Sequence, residues 1–134
     1  MKYLLDTDIC IYLIRKKPAH VLQRFEQLRI GDAGISAITF SELRFGAENS
    51  SHPENNHQLL LEFVAPLEVL DYPADAAPTY GRLRSALSKT GKSIGPLDLL
   101  IAAHAVHLGA TLVTNNTSEF SRLSELRVEN WARS

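Results

Sequence analysis

The sequence has a single cysteine, Cys10, so no internal disulfide can form, and that usage fits a reducing cytoplasm. It also lacks any apolar run near the roughly 20 residues that span a bilayer, which points away from a membrane protein. Charge of one sign is not in excess. The formal net charge is -1, so nothing draws the whole chain to nucleic acid, and such binding would have to come from local patches. The opening MKYLLDTD reaches acid too early for a secretory leader. No internal repeat, low-complexity tract or domain linker interrupts the chain. What remains is 134 residues, 45% hydrophobic and 22% charged, which suit one domain over 1–134 with a real core.

Apolar periodicity divides the chain into alternating strands and helices. KYLLD reads as a short buried strand, and DICIYLIRKKP as a helix stopping before Pro18. PAHVLQRFEQLRI is a second helix, followed by a turn from Gly31 to Gly34 and a short strand, GISA. ITFSELRFGAENSS is helical, Pro53 marks a loop, and NHQLLLEFVAPL is a helix stopped at Pro66. EVLDY is strand-like, PADAAPTYGRLRSALSKTG a long helix, and GPLDLLIAAHAVHLGA a helix with Pro96 at its first position. TLVTNN is a strand leaving into a polar loop, and a last short strand falls around Arg127 and Val128. This alternation predicts an α/β fold with a short, mainly parallel central sheet flanked by helices.

In open parallel sheets, sites form where strands end at their carboxyl edge. Asp6 directly ends an apolar strand, Glu42 lies in the helix after GISA, and Asn115 and Asn116 follow TLVT. Asp98 sits in the first turn behind Gly95 and Pro96 and can join them by packing of its helix. Taken singly, each has a plainer role. Asp98 complements a helix dipole, Glu42 is an exposed helical acid, Asp8 caps the first helix, and the asparagines are turn residues. Together, three converging carboxylates repel one another unless a cation neutralises them, and oxygen-only ligands suit Mg²⁺ or Mn²⁺. Such a site points to phosphoryl or phosphodiester chemistry. One cysteine and scattered histidines make no zinc set. His104 and His107 read as partly exposed helix residues, and Cys10 as a packing residue whose thiol the nearby acids blunt.

Four stretches carry a resemblance. LLDTDI at 4–9, ISAITFSELRFGA at 35–47, IGPLDLLIAAHA at 94–105 and LVTNNTSEF at 112–120 are similar, in order and spacing, to the motifs of PIN-domain ribonucleases of the VapC toxin family. The resemblance covers nearly the whole chain. It implies that Asp6, Glu42 and Asp98 hold Mg²⁺ or Mn²⁺ and that water activated there attacks an RNA phosphodiester. Asn116 and the Thr7 hydroxyl would orient that water or the phosphate. The implied substrate is structured RNA, and the stretches IGPLD and VTNNTSEF resemble a subgroup associated with initiator tRNA. A cognate VapB antitoxin is implied as partner, with its C-terminal segment pushing a basic side chain toward the acids. So are a homodimer, which would cover apolar surface such as QLLLEFV unless that run is core, and an assembly that meets operator DNA through the antitoxin. Two positions depart from the pattern: Asp8 stands where many members have Asn, and Asn116 is an amide where a fourth acid is common. The amide implies one firmly held metal and a second held weakly, with Glu119 as a less direct neighbouring acid.

Two basic clusters, Arg15, Lys16 and Lys17, and Arg82, Arg84, Lys89 and Lys92, read singly as solvated helix faces. Beside a nuclease site they become candidates for RNA phosphate or for an acidic partner peptide. Three rival readings are weaker. DTDIC superficially fits the nucleophile motif of haloacid-dehalogenase phosphatases, with Asp6 attacking phosphate and Asp8 as acid–base, but Cys10 stands where Thr or Val belongs. A receiver domain would need an acid closing its third strand and a lysine after its fifth. A non-catalytic binding module would have little use for three acids.

Overall fold

The computed structural model describes residues 1–132. Five short strands, β1 (Tyr3–Leu5), β2 (Ala33–Ser36), β3 (Glu68–Leu70), β4 (Thr111–Val113) and β5 (Val128–Glu129), form one sheet in the order β3-β2-β1-β4-β5. Every adjacent pair runs parallel, so the sheet is more uniform than the sequence predicts. Parallel strands need long crossovers, and helices supply them: α1 (Thr7–Arg15), α2 (Ala19–Glu26), α3 (Ala37–Glu48), α4 (Pro53–Val64), α5 (Ala77–Lys89), α6 (Pro96–Leu108) and α7 (Thr117–Phe120).

Helices cover both faces of the sheet, which is why its central strands β1, β2 and β4 are largely buried on both sides. Successive side chains point to opposite faces. Leu4 and Leu112 accordingly pack with Leu83, Leu99 and Ile101 of α5 and α6, while Leu5 and Val113 pack with Ile9, Val21 and Leu60 on the other side. The centre of the sheet is tight. A Cβ on Gly34 would fall 2.7 Å from Met1 Sδ and 2.8 Å from the Glu68 carbonyl oxygen, so only glycine lets β2 approach its neighbours here.

Several sequence expectations need correction. Pro53 is not a loop residue but the first residue of α4, where its missing N–H goes unused. The loop after β4 contains a helix, α7, whose four residues are too few to show a period. In QLLLEFV, Leu60 and Val64 belong to the core while Leu59 and Leu61 are exposed. His104, expected to be partly exposed, is buried, and its Nδ1 lies 2.9 Å from Ser36 Oγ. Among the described residues, no helix is long and apolar enough to cross a membrane.

Candidate active site

The strand order puts three carboxyl ends side by side at the middle of the sheet: Asp6 after β1, Ser36 at the end of β2 and Thr114 after β4. Asp6 is 6% exposed and extends the central strand by donating its N–H to the Val113 carbonyl at 3.0 Å. Its Oδ1 accepts the Ile9 N–H at 2.9 Å, which makes Asp6 the N-cap of α1. That cap was expected of Asp8, which instead lies exposed in the first turn of α1. One chain reversal thus both starts the helix and aims a carboxylate at the sheet edge.

Burial pushes the Asp6 carboxyl up to about 7. The Thr114 hydroxyl and the Ile9 N–H pull it back, while Asp8 and Asp98 add to the rise. Asp98, half-buried in the first turn of α6, is raised to about 6 by burial and then by Glu119, Glu42 and Asp8. These repulsions place Asp6, Asp8, Glu42, Asp98 and Glu119 in one negative field. Cys10, buried beneath it, has its thiol pushed well up by burial and then by Asp6 and Asp8, so it stays an inert packing residue.

Hydroxyl and amide donors hold the outer members. Thr7 Oγ1 donates to Glu42 Oε1 at 2.6 Å, binding the start of α1 to the middle of α3. Asn116 Nδ2 donates to Glu119 Oε2 at 2.6 Å, and its own N–H is held by Thr114 Oγ1 at 2.9 Å. Asn115 turns aside to donate to the Tyr12 hydroxyl at 3.1 Å. The two residues expected to orient water or phosphate, Thr7 and Asn116, are therefore engaged in holding acids. Glu119 is more direct than the sequence suggested: its charge is the first among the neighbours acting on Asp98. Thr114 was missed, since a threonine ending a strand carries no signal of its own.

The donor set is oxygen only, which fits a hard divalent cation. Among the described residues, no three acid, histidine or cysteine side chains gather closely enough to enclose one ion. That still suits Mg²⁺, which keeps several waters and takes one or two carboxylates rather than a protein cage.

The basic clusters separate. Arg82 is engaged by Glu125, with Nη2 to Oε1 at 2.7 Å. Arg15 lines an apolar cleft of about 340 Å³ between α1, α3 and α4, which also reaches Glu42. Arg84 and Lys92 line a second cleft beside the start of α6. Lys16, Lys17 and Lys89 are exposed.

An all-parallel sheet that gathers repelling carboxylates at its carboxyl edge defines an acid-site α/β protein suited to a divalent cation. Residues 3–126 match the PIN domain. The chain is 46% identical over 132 residues to the tRNA(fMet)-specific endonuclease VapC of Shigella flexneri, covering 98% of this chain and 99% of that protein. It is 46% identical over 131 residues to ribonuclease VapC2 of Haemophilus influenzae, covering 98% of each. The structure of VapBC2 from Rickettsia felis bound to promoter DNA aligns with a TM-score of 0.92 at 42% identity, over 98% of this chain and 99% of that one. DNA-bound VapBC from Salmonella typhimurium aligns with a TM-score of 0.92 at 44% identity, over 98% of each chain. The chain belongs to the PIN-domain family and, within it, to the VapC group.

Proposed function

We propose that this chain is a Mg²⁺- or Mn²⁺-dependent endoribonuclease, the toxin of a VapBC pair, which hydrolyses a phosphodiester in structured RNA. The observation that carries the reading is the buried Asp6 carboxyl, raised to about 7 at the edge of the central strand with Asp98 and Asp8 repelling it. A fold tolerates such an arrangement where a cation is to bind. The names of the relatives support RNA as substrate, and initiator tRNA as the particular RNA, because the Shigella flexneri relative is named for tRNA(fMet).

Asp6 and Asp98 would hold the cation directly, with Glu42 on α3 taking part through the waters the cation keeps. The cation supplies a water made nucleophilic near neutral pH and an offset to the charge of the phosphate. The chain does the rest. Burial of Asp6 fixes one ligand against the sheet and keeps bulk water from it. Thr7 fixes the Glu42 carboxylate in one orientation. Asn116 restrains Glu119, whose charge adds to burial in raising the Asp98 carboxyl.

The solved VapBC relatives support a VapB partner for this chain, and their promoter DNA supports an operator-binding assembly with DNA contact left to VapB. The apolar cleft between α1, α3 and α4 suits a VapB segment, since its lining ends at Glu42, where a basic side chain would meet the acids. A tRNA substrate and a single, buried thiol support a cytoplasmic site of action, and the resemblance to VapC toxins supports pairing with a second copy.

The test is cleavage of a purified tRNA pool by the antitoxin-free protein in Mg²⁺, Mn²⁺ or EDTA, beside Asp98→Asn. A discrete cut that requires both metal and Asp98 is expected. Equal cutting in EDTA, or by Asp98→Asn, would sink the site assignment.

A further inference from the structure

The second cleft, of about 340 Å³, lies between the end of α5 and the start of α6. Its polar lining comprises Arg84, Ser88, Lys92 and Ser93, with Gly95 and Pro96 closing it. No carboxylate lines it, although the chain as a whole is slightly acidic. The two cations arrive separately, Arg84 from α5 and Lys92 from the connection to α6. Arg84 is steadied rather than neutralised. Its Nη1 donates to the Tyr80 hydroxyl at 2.7 Å and its guanidinium lies 5.9 Å from the Tyr80 ring centre, which leaves other N–H groups free. Arg122 Nη1 donates to the Ser93 carbonyl at 2.7 Å and so pins the connection that carries Lys92. Arg82, two residues from Arg84, shows the contrast, since Glu125 takes its charge.

The cleft adjoins the acid site. Gly95 forms its wall, and a Cβ on Gly95 would stand 4.0 Å from Asp98 Oδ2. Gly95 thus belongs to the wall of the cleft and stands beside Asp98 as well. We propose that this cleft seats a backbone phosphodiester of the RNA next to the scissile one, with Arg84 and Lys92 as the charges that hold it and Ser88 and Ser93 as hydroxyl donors. The proposal rests on the nuclease reading and adds the place where the strand is gripped. A nuclease with little net charge needs such a local grip, because phosphate contacts fix register while the acids do the chemistry.

The experiment compares two charge-matched double variants, Arg84→Gln with Lys92→Gln, and Lys2→Gln with Arg29→Gln. Lys2 and Arg29 are exposed at the opposite, amino edge of the sheet. Affinity for a labelled tRNA pool is read by anisotropy in EDTA, where no cut occurs, from 50 to 200 mM salt. The cleft variant should bind roughly tenfold more weakly, with a salt slope smaller by about one per cation removed. Its loss in the metal-loaded reaction should fall on KM. The edge variant should match the parent. Equal affinity for all three, or an equal loss in both variants, would each overturn the proposal. If the parent binds without cutting and the cleft variant binds weakly, the cleft stands and the nuclease chemistry falls.

Discussion

Ser36 Oγ and His104 Nδ1 meet at 2.9 Å inside the protein, two turns from the place where Glu42 and Asp98 repel each other. Ser36 is six residues before Glu42, and His104 six after Asp98. The helices α3 and α6 therefore run antiparallel, with a bond at one level and a repulsion about 9 Å along. Ser36 also accepts the Ile38 N–H at 3.1 Å and so caps α3. Replacing His104 by Leu should cost about 1–3 kcal/mol for the bereft hydroxyl. It should also weaken Mn²⁺ binding, because the two acids lose their fixed spacing. His104→Asn, which keeps a polar atom near the Nδ1 position, should recover more Mn²⁺ affinity than stability. Urea unfolding and Mn²⁺ titration read the two effects separately. If the two variants bind Mn²⁺ as tightly as the parent does, the bond has only a structural role.

Asp6 sets a pH dependence whose sign is opposite to that of ordinary ion-paired acids. Its folded pKa, about 7, lies above its ordinary value of 3.8. The folded state therefore binds the extra proton, and metal-free stability falls as pH rises from about 4 through about 7. Asp6→Asn should be the more stable protein at pH 8, by up to about 4 kcal/mol, and the gap should close toward pH 4. Denaturant unfolding in EDTA at both pH values measures it, and a gap that does not depend on pH would refute the account. Mg²⁺ should raise the parent's Tm more at pH 8 than at pH 5.5.

After burial, the charge of Glu119 contributes most to the rise of the Asp98 carboxyl. Glu119→Gln keeps a group that Asn116 can bond to and removes the repulsion. The Asp98 pKa should then fall from about 6, and the acidic limb of the pH–activity profile should move to lower pH. A limb that stays in place would mean that another group sets it.

Thr7 restrains Glu42 through a 2.6 Å bond to its carboxylate. Thr7→Val preserves shape and removes the donor, so cleavage should fall by about tenfold, the equivalent of about 1.4 kcal/mol, with little change in the circular dichroism spectrum. Thr7→Ser should restore most of the activity. If Val cleaves like the parent, Glu42 needs no such restraint.

The strands, the α/β class and the placing of Asp6 were legible because an apolar run ending in acid, and Pro96 opening a helix, are local signals. His104 was not. It sits in a stretch of α6, Ile101 to Ala105, that is buried throughout, so no polar face reveals which way the ring points. The cap passed from Asp8 to Asp6, two residues earlier, a distinction finer than apolar periodicity resolves. Arg82 and Arg84 look alike in sequence, and only Glu125, 43 residues on, tells them apart.

The strand order has a consequence for synthesis. β1 lies at the centre of the sheet, yet its two neighbours are β2, near residue 33, and β4, near residue 111. Asp98, Thr114 and Glu119 enter with that second neighbour. While a ribosome is still making the chain, the central strand is half-paired and the acids are incomplete, because the distant pairing must wait for its partner. The acid site is therefore complete only once β4 has been made and has paired with β1.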